Sequence, residues 1–123
     1  MNNGGRQTLV LPAITSLKKL CNHPSLLVDN GKVAEGFEEA AAMLPPSAVA
    51  KVGKGPPPRF DPSLSGKFHV LHKLLKGVRA TSDDKVVLVS NYTQTLDLFE
   101  RMCIQEGWKC CKLDGSCNIK KRA

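Results

Sequence analysis

The stretch that decides the fold runs from Lys85 to Glu100 and reads KVVLVSNYTQTLDLFE. Its four consecutive apolar residues, Val86 to Val89, lack the period-two alternation of a strand with one exposed face. We therefore predict a strand that is covered on both faces, as the central strands of parallel sheets are. The apolar run stops at a polar corner, after which a helix is predicted from Thr93 to about Glu106.

The residues after this helix complete a strand–helix–strand unit. Gly107 is predicted to end the helix, because glycine tolerates the left-handed backbone of a helix C-terminus. A second strand is predicted from Trp108 to Leu113, and the start of a further helix from Asn118 to Ala123. Two strands joined by a helix in this way pair in parallel, as a βαβ unit. The predicted fold class is therefore α/β.

Polar residues follow both predicted strands and indicate a phosphate-binding edge. Ligands of parallel sheets bind at the carboxyl ends of the strands, where helix N-termini offer unpaired N–H groups to phosphate. The candidate residues for contact with phosphate are Ser90, Asn91, Thr93, Gln94, Asp114, Gly115, Ser116, Lys120 and Arg122. A plainer interpretation stays open, in which these residues only cap helices, form a tight turn and coat a solvated first helical turn.

Composition limits the chain to one small domain. It has 123 residues and a formal net charge of +7, which suits a polyanionic partner without requiring one. It contains no apolar run long enough to span a bilayer and no signal peptide, so we expect an intracellular, soluble protein. The five cysteines have no C-x-x-C ligand spacing and are expected to be reduced thiols.

The first half of the chain divides into a helical lead-in and an insertion. In the lead-in, residues 1–28, Pro12 is placed in the first turn of a helix that ends near Asn22, before Pro24. Residues 29–64 hold six of the eight prolines, an acidic patch and an alanine run. Such a composition buries little apolar surface, so we predict a flexible insertion.

A strongly amphipathic helix is predicted after the insertion, from Gly66 to about Ala80. Ser65 is a suitable N-cap, and the apolar residues fall on one arc of the helix. His69 and His72 lie on the opposite arc among basic residues. An i,i+3 histidine pair can bind a metal, but without a carboxylate or cysteine beside it a solvated face is favoured.

Three stretches together carry a family resemblance. They are ITSLKKLCNHP from Ile14 to Pro24, the Lys85 to Glu100 block, and LDGS from Leu113 to Ser116 followed by IKKRA. In this order they resemble the C-terminal helicase lobe of the Swi/Snf family of ATP-dependent DNA translocases, and within it the Rad-fifty-four type. The resemblance implies that residues 65–123 are the N-terminal part of a RecA-like lobe, of which the chain holds a fragment.

The same resemblance implies a function, in which the candidate phosphate-binding residues contact the backbone of DNA. Members of the family hydrolyse ATP with magnesium and move along double-stranded DNA, and this branch acts in nuclear recombinational repair with a recombinase filament. The chain lacks a P-loop, so we expect it to be inactive as an ATPase on its own. It departs from the family pattern at Lys112 and Cys117. A non-catalytic α/β interaction module remains the alternative, whereas a Rossmann-type nucleotide binder is disfavoured because G-x-G-x-x-G is missing.

Overall fold

The computed structural model describes residues 4–29, 31–45 and 59–115, with side chains from residue 10 onward. Four helices form most of this part of the chain. They are α1 (Gly4–Asn22), α2 (Glu38–Ala42), α3 (Gly66–Thr81) and α4 (Thr93–Glu106). A two-stranded antiparallel sheet joins β1 (Val28–Asp29) to β2 (Lys32–Val33). The protein is therefore α/β in composition, as predicted, with helices predominating in the described residues.

Helix α1 is longer than the sequence pattern predicts. It begins at Gly4, so Pro12 lies inside the helix and not in its first turn. Proline removes one intrahelical hydrogen bond, and here the residues on both sides still form one helix. Much of the predicted apolar arc is open, because Ile14 is 42% and Leu17 50% exposed.

Helices α3 and α4 confirm the predicted positions. The Ser65 hydroxyl accepts a hydrogen bond from the Phe68 N–H at 3.3 Å, which caps α3 as expected. Gly107 follows α4 with φ of 71°, and the Trp108 N–H donates to the Cys103 carbonyl at 2.8 Å. This left-handed glycine and the back-directed hydrogen bond are how helices commonly end.

The core lies between α3 and α4 and is closed by aromatic rings. Its buried residues are Phe60, Phe68, Leu75, Leu98 and Met102, with Leu26, Leu71, Leu88, Phe99 and Trp108 packed around them. The Phe68 ring lies 5.2 Å from both the Phe60 and Phe99 ring centroids. Such offset and edge-on pairs add to the stabilisation that burial alone provides.

The two strands of the predicted βαβ unit are not formed in the described residues. Residues 82–90 and 108–113 belong to neither a helix nor a strand, so the parallel pair is absent there. The prediction that Val86 to Val89 are covered on both faces is also wrong. Leu88 packs against the core, whereas Val87 and Val89 are each 84% exposed. A strand needs a neighbouring strand to pair with, and neither segment has one among the described residues.

Part of the predicted insertion is ordered structure. Strands β1 and β2 pair as described above, α2 follows, and the Ala34 N–H donates to the Leu27 carbonyl at 2.9 Å. Near the other end, the Phe60 side chain is only 4% exposed. The backbone N–H and C=O of Phe60 both bond to the Gln105 side chain on α4, at 2.5 and 2.9 Å. Phe60 thus belongs to the core, while residues 46–58 lie outside the described residues and their predicted flexibility stays a prediction.

Candidate nucleic-acid interface

The first turn of α4 carries most of the predicted contact residues. Its N-cap is Tyr92, and no side chain caps the helix. The Ser90 hydroxyl accepts a hydrogen bond from the Tyr92 N–H at 3.2 Å, so it shapes the entry turn. Asn91 and Thr93 are exposed, and the first turn holds no acidic residue. An uncapped helix N-terminus with exposed hydroxyl and amide groups favours an anion.

Gln94 lies in the same turn and is half-buried. Its side-chain oxygen is shielded from solvent and has no hydrogen-bond partner among the described residues. A buried amide oxygen left without a donor costs about 1–3 kcal/mol, so such groups usually have a partner. A donor from a ligand or from a neighbouring part of the protein would remove this penalty.

Asn22 connects the candidate site to α1 and α3. Its side-chain amide donates to the Thr95 hydroxyl on α4 at 3.3 Å, and its side-chain oxygen accepts from the Lys67 ammonium at 3.1 Å. Its backbone carbonyl accepts from the Ser65 hydroxyl at 2.5 Å. Thr95, one residue after Gln94, is 3% exposed. One residue therefore fixes the first turn of α4 relative to the two other long helices.

The neighbouring residue, His23, is buried and electrically neutral. Its Nδ1 accepts a hydrogen bond from the Ser25 N–H at 3.1 Å, so the ring proton is on Nε2, which lies 2.8 Å from the Asp61 carbonyl oxygen. The ring packs 4.8 Å from the Phe60 ring and 5.5 Å from the Phe68 ring, centroid to centroid. Burial lowers the pKa of His23 below its usual value, because the charged imidazolium would lose its hydration.

The second predicted loop is tied to α4 by an ion-pair cluster. The Lys112 ammonium bonds to the Asp97 carboxylate and lies 3.5 Å from the carboxylates of both Glu100 and Asp114. The hydrogen bond to Asp97, helped by the other two carboxylates, raises the pKa of Lys112. Lys112 therefore carries its charge at every physiological pH.

The structure places Asp114 differently from the other candidates. Its side chain is 2% exposed and faces Lys112, while Gly115 beside it is exposed. A buried carboxylate is a poor phosphate contact, because like charges repel and the group is turned away from solvent. Asp114 is better understood as holding the turn in place. Ser116, Lys120 and Arg122 lie outside the described residues.

Three residues that matter for this geometry are not in the set predicted from the sequence. Asn22, Thr95 and Lys112 position the first turn of α4 and the following loop, without being obvious ligand groups. Asn22 could have been found from the sequence, because it is a polar residue directly before His23 and Pro24. Its side chain has a donor and an acceptor, and no helix continues past it to provide partners for them. Lys112 gives no such signal, since its partners on α4 are distant in sequence.

The other chemistry-bearing residues have structural roles. His72 on α3 lies 2.7 Å from the Glu106 carboxylate on α4, and this contact lowers the pKa of Glu106. No group of three or more metal-binding side chains occurs in the described residues. Burial raises the pKa of the Cys103 thiol to about 11, so it is not a reactive thiolate. In the same part of the chain, no helix is long and apolar enough to cross a membrane.

Comparison with known proteins shows close relatives. The chain is 50% identical over 114 residues to the human DNA repair and recombination protein RAD54-like, across 92% of this chain and 14% of that protein. The mouse RAD54-like protein is 47% identical over 124 residues, with 100% and 16% covered. The DNA repair protein rhp54 of Schizosaccharomyces pombe is 46% identical over 112 residues, with 91% and 13% covered. No family model and no solved structure matches the chain.

The similarity extends over nearly the whole chain, and it includes the motifs that carry the family resemblance. The sequence identity is similar, 46 to 50%, in two animals and in a yeast. Such identity over more than 100 residues is typical of one family and not of an isolated motif. Over nearly its whole length the chain is of the Rad54 type, and the relatives given above are named as DNA repair or DNA repair and recombination proteins. It spans 13 to 16% of the length of the relatives given above.

Proposed function

We propose that this chain is part of the second motor lobe of an ATP-dependent double-stranded-DNA translocase that acts in homologous recombination and DNA repair. This part of the protein contacts the DNA backbone through the α4 N-terminus and the turn at Gly115. The observation that carries the proposal is 46 to 50% identity to proteins named for DNA repair and recombination. The uncapped and exposed first turn of α4 supports it.

The proposed contact is with phosphate and not with bases. The exposed donors on this surface are hydroxyl, amide and backbone N–H groups at a helix N-terminus, which are groups that commonly bond to phosphate oxygens. Phosphate contacts position a protein on the duplex and carry no sequence information. A motor that moves along DNA of any sequence requires contacts of this kind.

ATP and magnesium belong in this proposal to the intact protein. The sequence has no G-x-x-x-x-G-K-[ST] loop, and the described residues do not assemble a metal-binding group. These residues therefore do not fit a complete nucleotide site, and we assign no catalytic step to them. A recombinase filament is the proposed protein partner and the nucleus the proposed location, both by extension from the relatives named above.

The proposed DNA interface predicts a sequence-independent loss of binding. In the intact protein, replacing Asn91 and Ser116 together by alanine is expected to weaken duplex binding roughly fivefold or more, because the substitution removes two hydrogen bonds to phosphate. The loss should be equal for unrelated duplexes. Fluorescence anisotropy at fixed salt measures it.

Two comparisons sharpen that experiment. Replacing Lys120 or Arg122 should in addition flatten the salt dependence by about one unit of slope for each phosphate that the side chain neutralises. Replacing His69, which is exposed on α3 and is not among the candidate contact residues, serves as the control and should leave binding unchanged. Unaltered binding and DNA-dependent ATP turnover in the Asn91 and Ser116 variant would reduce both residues to a role in the turns.

The isolated 123-residue chain is expected to have no ATPase activity, since the groups that bind and cleave ATP in P-loop motors are missing from its sequence. Phosphate release is measured with and without duplex DNA. Hydrolysis that copurifies with the chain through successive columns would contradict the assignment to a second lobe. A catalytic member of the family serves as the positive control.

A further inference from the structure

Lys112 lies at the point where three chain segments meet. Its ammonium has three N–H donors, and three carboxylates lie within 3.5 Å of it. Asp97 and Glu100 come from one face of α4, since residues three apart in a helix are neighbours. Asp114 comes from the turn that follows the segment 108–113. The side chain of Lys112 is 25% exposed, so the cluster is partly shielded from water.

The cluster fixes the distance between the two parts of the proposed DNA interface. Asp97 is one helical turn after Thr93, on the side of α4 that continues from the proposed contact surface. Asp114 immediately precedes Gly115, whose backbone is exposed. By holding Asp97 and Asp114 at once, Lys112 holds the Gly115 turn against the N-terminal half of α4.

The cluster also has an electrostatic consequence. Carboxylates close to a phosphate path repel DNA, and Asp97 and Glu100 are 48% and 40% exposed. A cation among them reduces this repulsion. At the same time, an ammonium surrounded by three carboxylates is poorly placed to approach a phosphate itself.

We propose that Lys112 is a positioning residue for DNA binding, which places the Gly115 turn beside the α4 N-terminus without touching the DNA. This inference rests on the proposed function. A positioning residue differs from a basic residue that contacts phosphate directly. The two roles predict different dependences of the DNA affinity on salt concentration.

The first test compares Lys112→Met with Lys112→Arg in the intact protein. We expect the methionine variant to bind duplex DNA about fivefold more weakly, with an unchanged slope of log affinity against log salt. Arginine keeps the charge and the ion pairs, so it should retain binding. Lys109→Met is the matched control, because Lys109 is an exposed lysine on the same segment, and it should bind like the wild type. A slope reduced by about one unit in Lys112→Met would show that Lys112 touches phosphate directly and would overturn the inference.

In the second test, a positioning role and a purely electrostatic role predict changes of opposite sign in the affinity for DNA. The double variant Asp97→Asn with Glu100→Gln removes two negative charges but also the anchors of Lys112 on α4. Positioning predicts about fivefold weaker binding, whereas a purely electrostatic role predicts tighter binding. Tighter or unchanged binding would overturn the inference. Thermal melting of each variant, matched to the wild type, establishes that a loss of binding is not a loss of folding.

The tests separate this inference from the function on which it rests. If the wild type fails to bind duplex DNA, or if the Asn91 and Ser116 variant binds normally, the proposed DNA interface is wrong. If those experiments succeed and Lys112→Met binds like the wild type, the interface stands and the positioning role is wrong.

Discussion

Replacing Phe68 by alanine is expected to lower the free energy of unfolding by roughly 3–5 kcal/mol. Phe68 is 2% exposed and lies at the centre of the aromatic cluster, in contact with the rings of His23, Phe60 and Phe99. Its removal leaves a cavity between α3 and the residues that close the core, and the neighbouring rings lose their edge-on partner. Small domains have about 5–15 kcal/mol of stability, so this loss is a large share of the total.

Urea denaturation of the 123-residue chain, followed by far-UV circular dichroism, measures this effect. Val70→Ala is the matched control, since Val70 is on the same helix and 65% exposed, and it should change stability by no more than about 0.5 kcal/mol. Equal midpoints for Phe68→Ala and Val70→Ala would mean that the described core does not hold the helices together.

Replacing His23 by alanine is expected to destabilise the chain by about 3 kcal/mol, because loss of packing and of buried hydrogen bonds act in the same direction. The substitution removes a ring that is 1% exposed and leaves the Ser25 N–H and the Asp61 carbonyl without their described partner. The matched control is His69→Ala, a change of the same residue type at an exposed position of α3. Similar unfolding midpoints for the two variants would contradict the role of His23 in the core.

His23 also gives stability a defined dependence on pH. Its pKa is lowered by folding, so above about pH 6.5 the ring is neutral in both states and its contribution is complete. Below that pH the unfolded chain takes up a proton that the folded chain resists, and stability falls by up to about 1.4 kcal/mol per pH unit until the folded-state pKa is reached. As the pH is lowered, this loss of stability comes before the loss that Asp61 and Glu106 cause. The lowered pKa values of these two carboxyl groups place their effect near and below about pH 4.

The pH effect is measured by urea denaturation at several pH values between about 5 and 7.5, the range in which an unfolded histidine titrates. A His23→Gln variant should be less stable throughout and should lose the dependence in that window, whereas His69→Ala should retain it. A wild-type stability that stays flat across the whole window would show that His23 is not held neutral.

Helices α3 and α4 were predictable because their signals are local, whereas the early start of α1 and the presence of α2 were not predicted. Ser65 caps α3 and Gly107 ends α4 through contacts within a few residues, so the sequence pattern contains the cause. The strands at Val86 to Val89 and Trp108 to Leu113 were predicted from apolar runs alone. A strand forms by pairing with another segment, and no local pattern contains that partner.

The candidate site was predictable in part for the same reason. Exposed Asn91 and Thr93 at the start of α4 follow from a polar corner before a helix. The burial of Asp114 does not, because it arises from Lys112 and from residues on α4 that are adjacent only in the folded chain. Likewise, Asn22 reaches Thr95 across 73 residues of sequence. Contacts of this kind depend on how the helices and loops pack, and they produce no periodic pattern in the sequence.

The Asp61 bond to His23 has a consequence for how this region can change during evolution. The His23 ring bonds to the Ser25 N–H before this part of the chain and to the Asp61 carbonyl after it, so the two ends are held at the same imidazole ring. Lengthening a loop whose ends are already fixed costs little, about 0.6 kcal/mol for each doubling in length. The chain between these points can therefore change in length while the packing around His23 is retained. An epitope tag or fluorescent label inserted between residues 46 and 58 should accordingly leave the unfolding midpoint nearly unchanged.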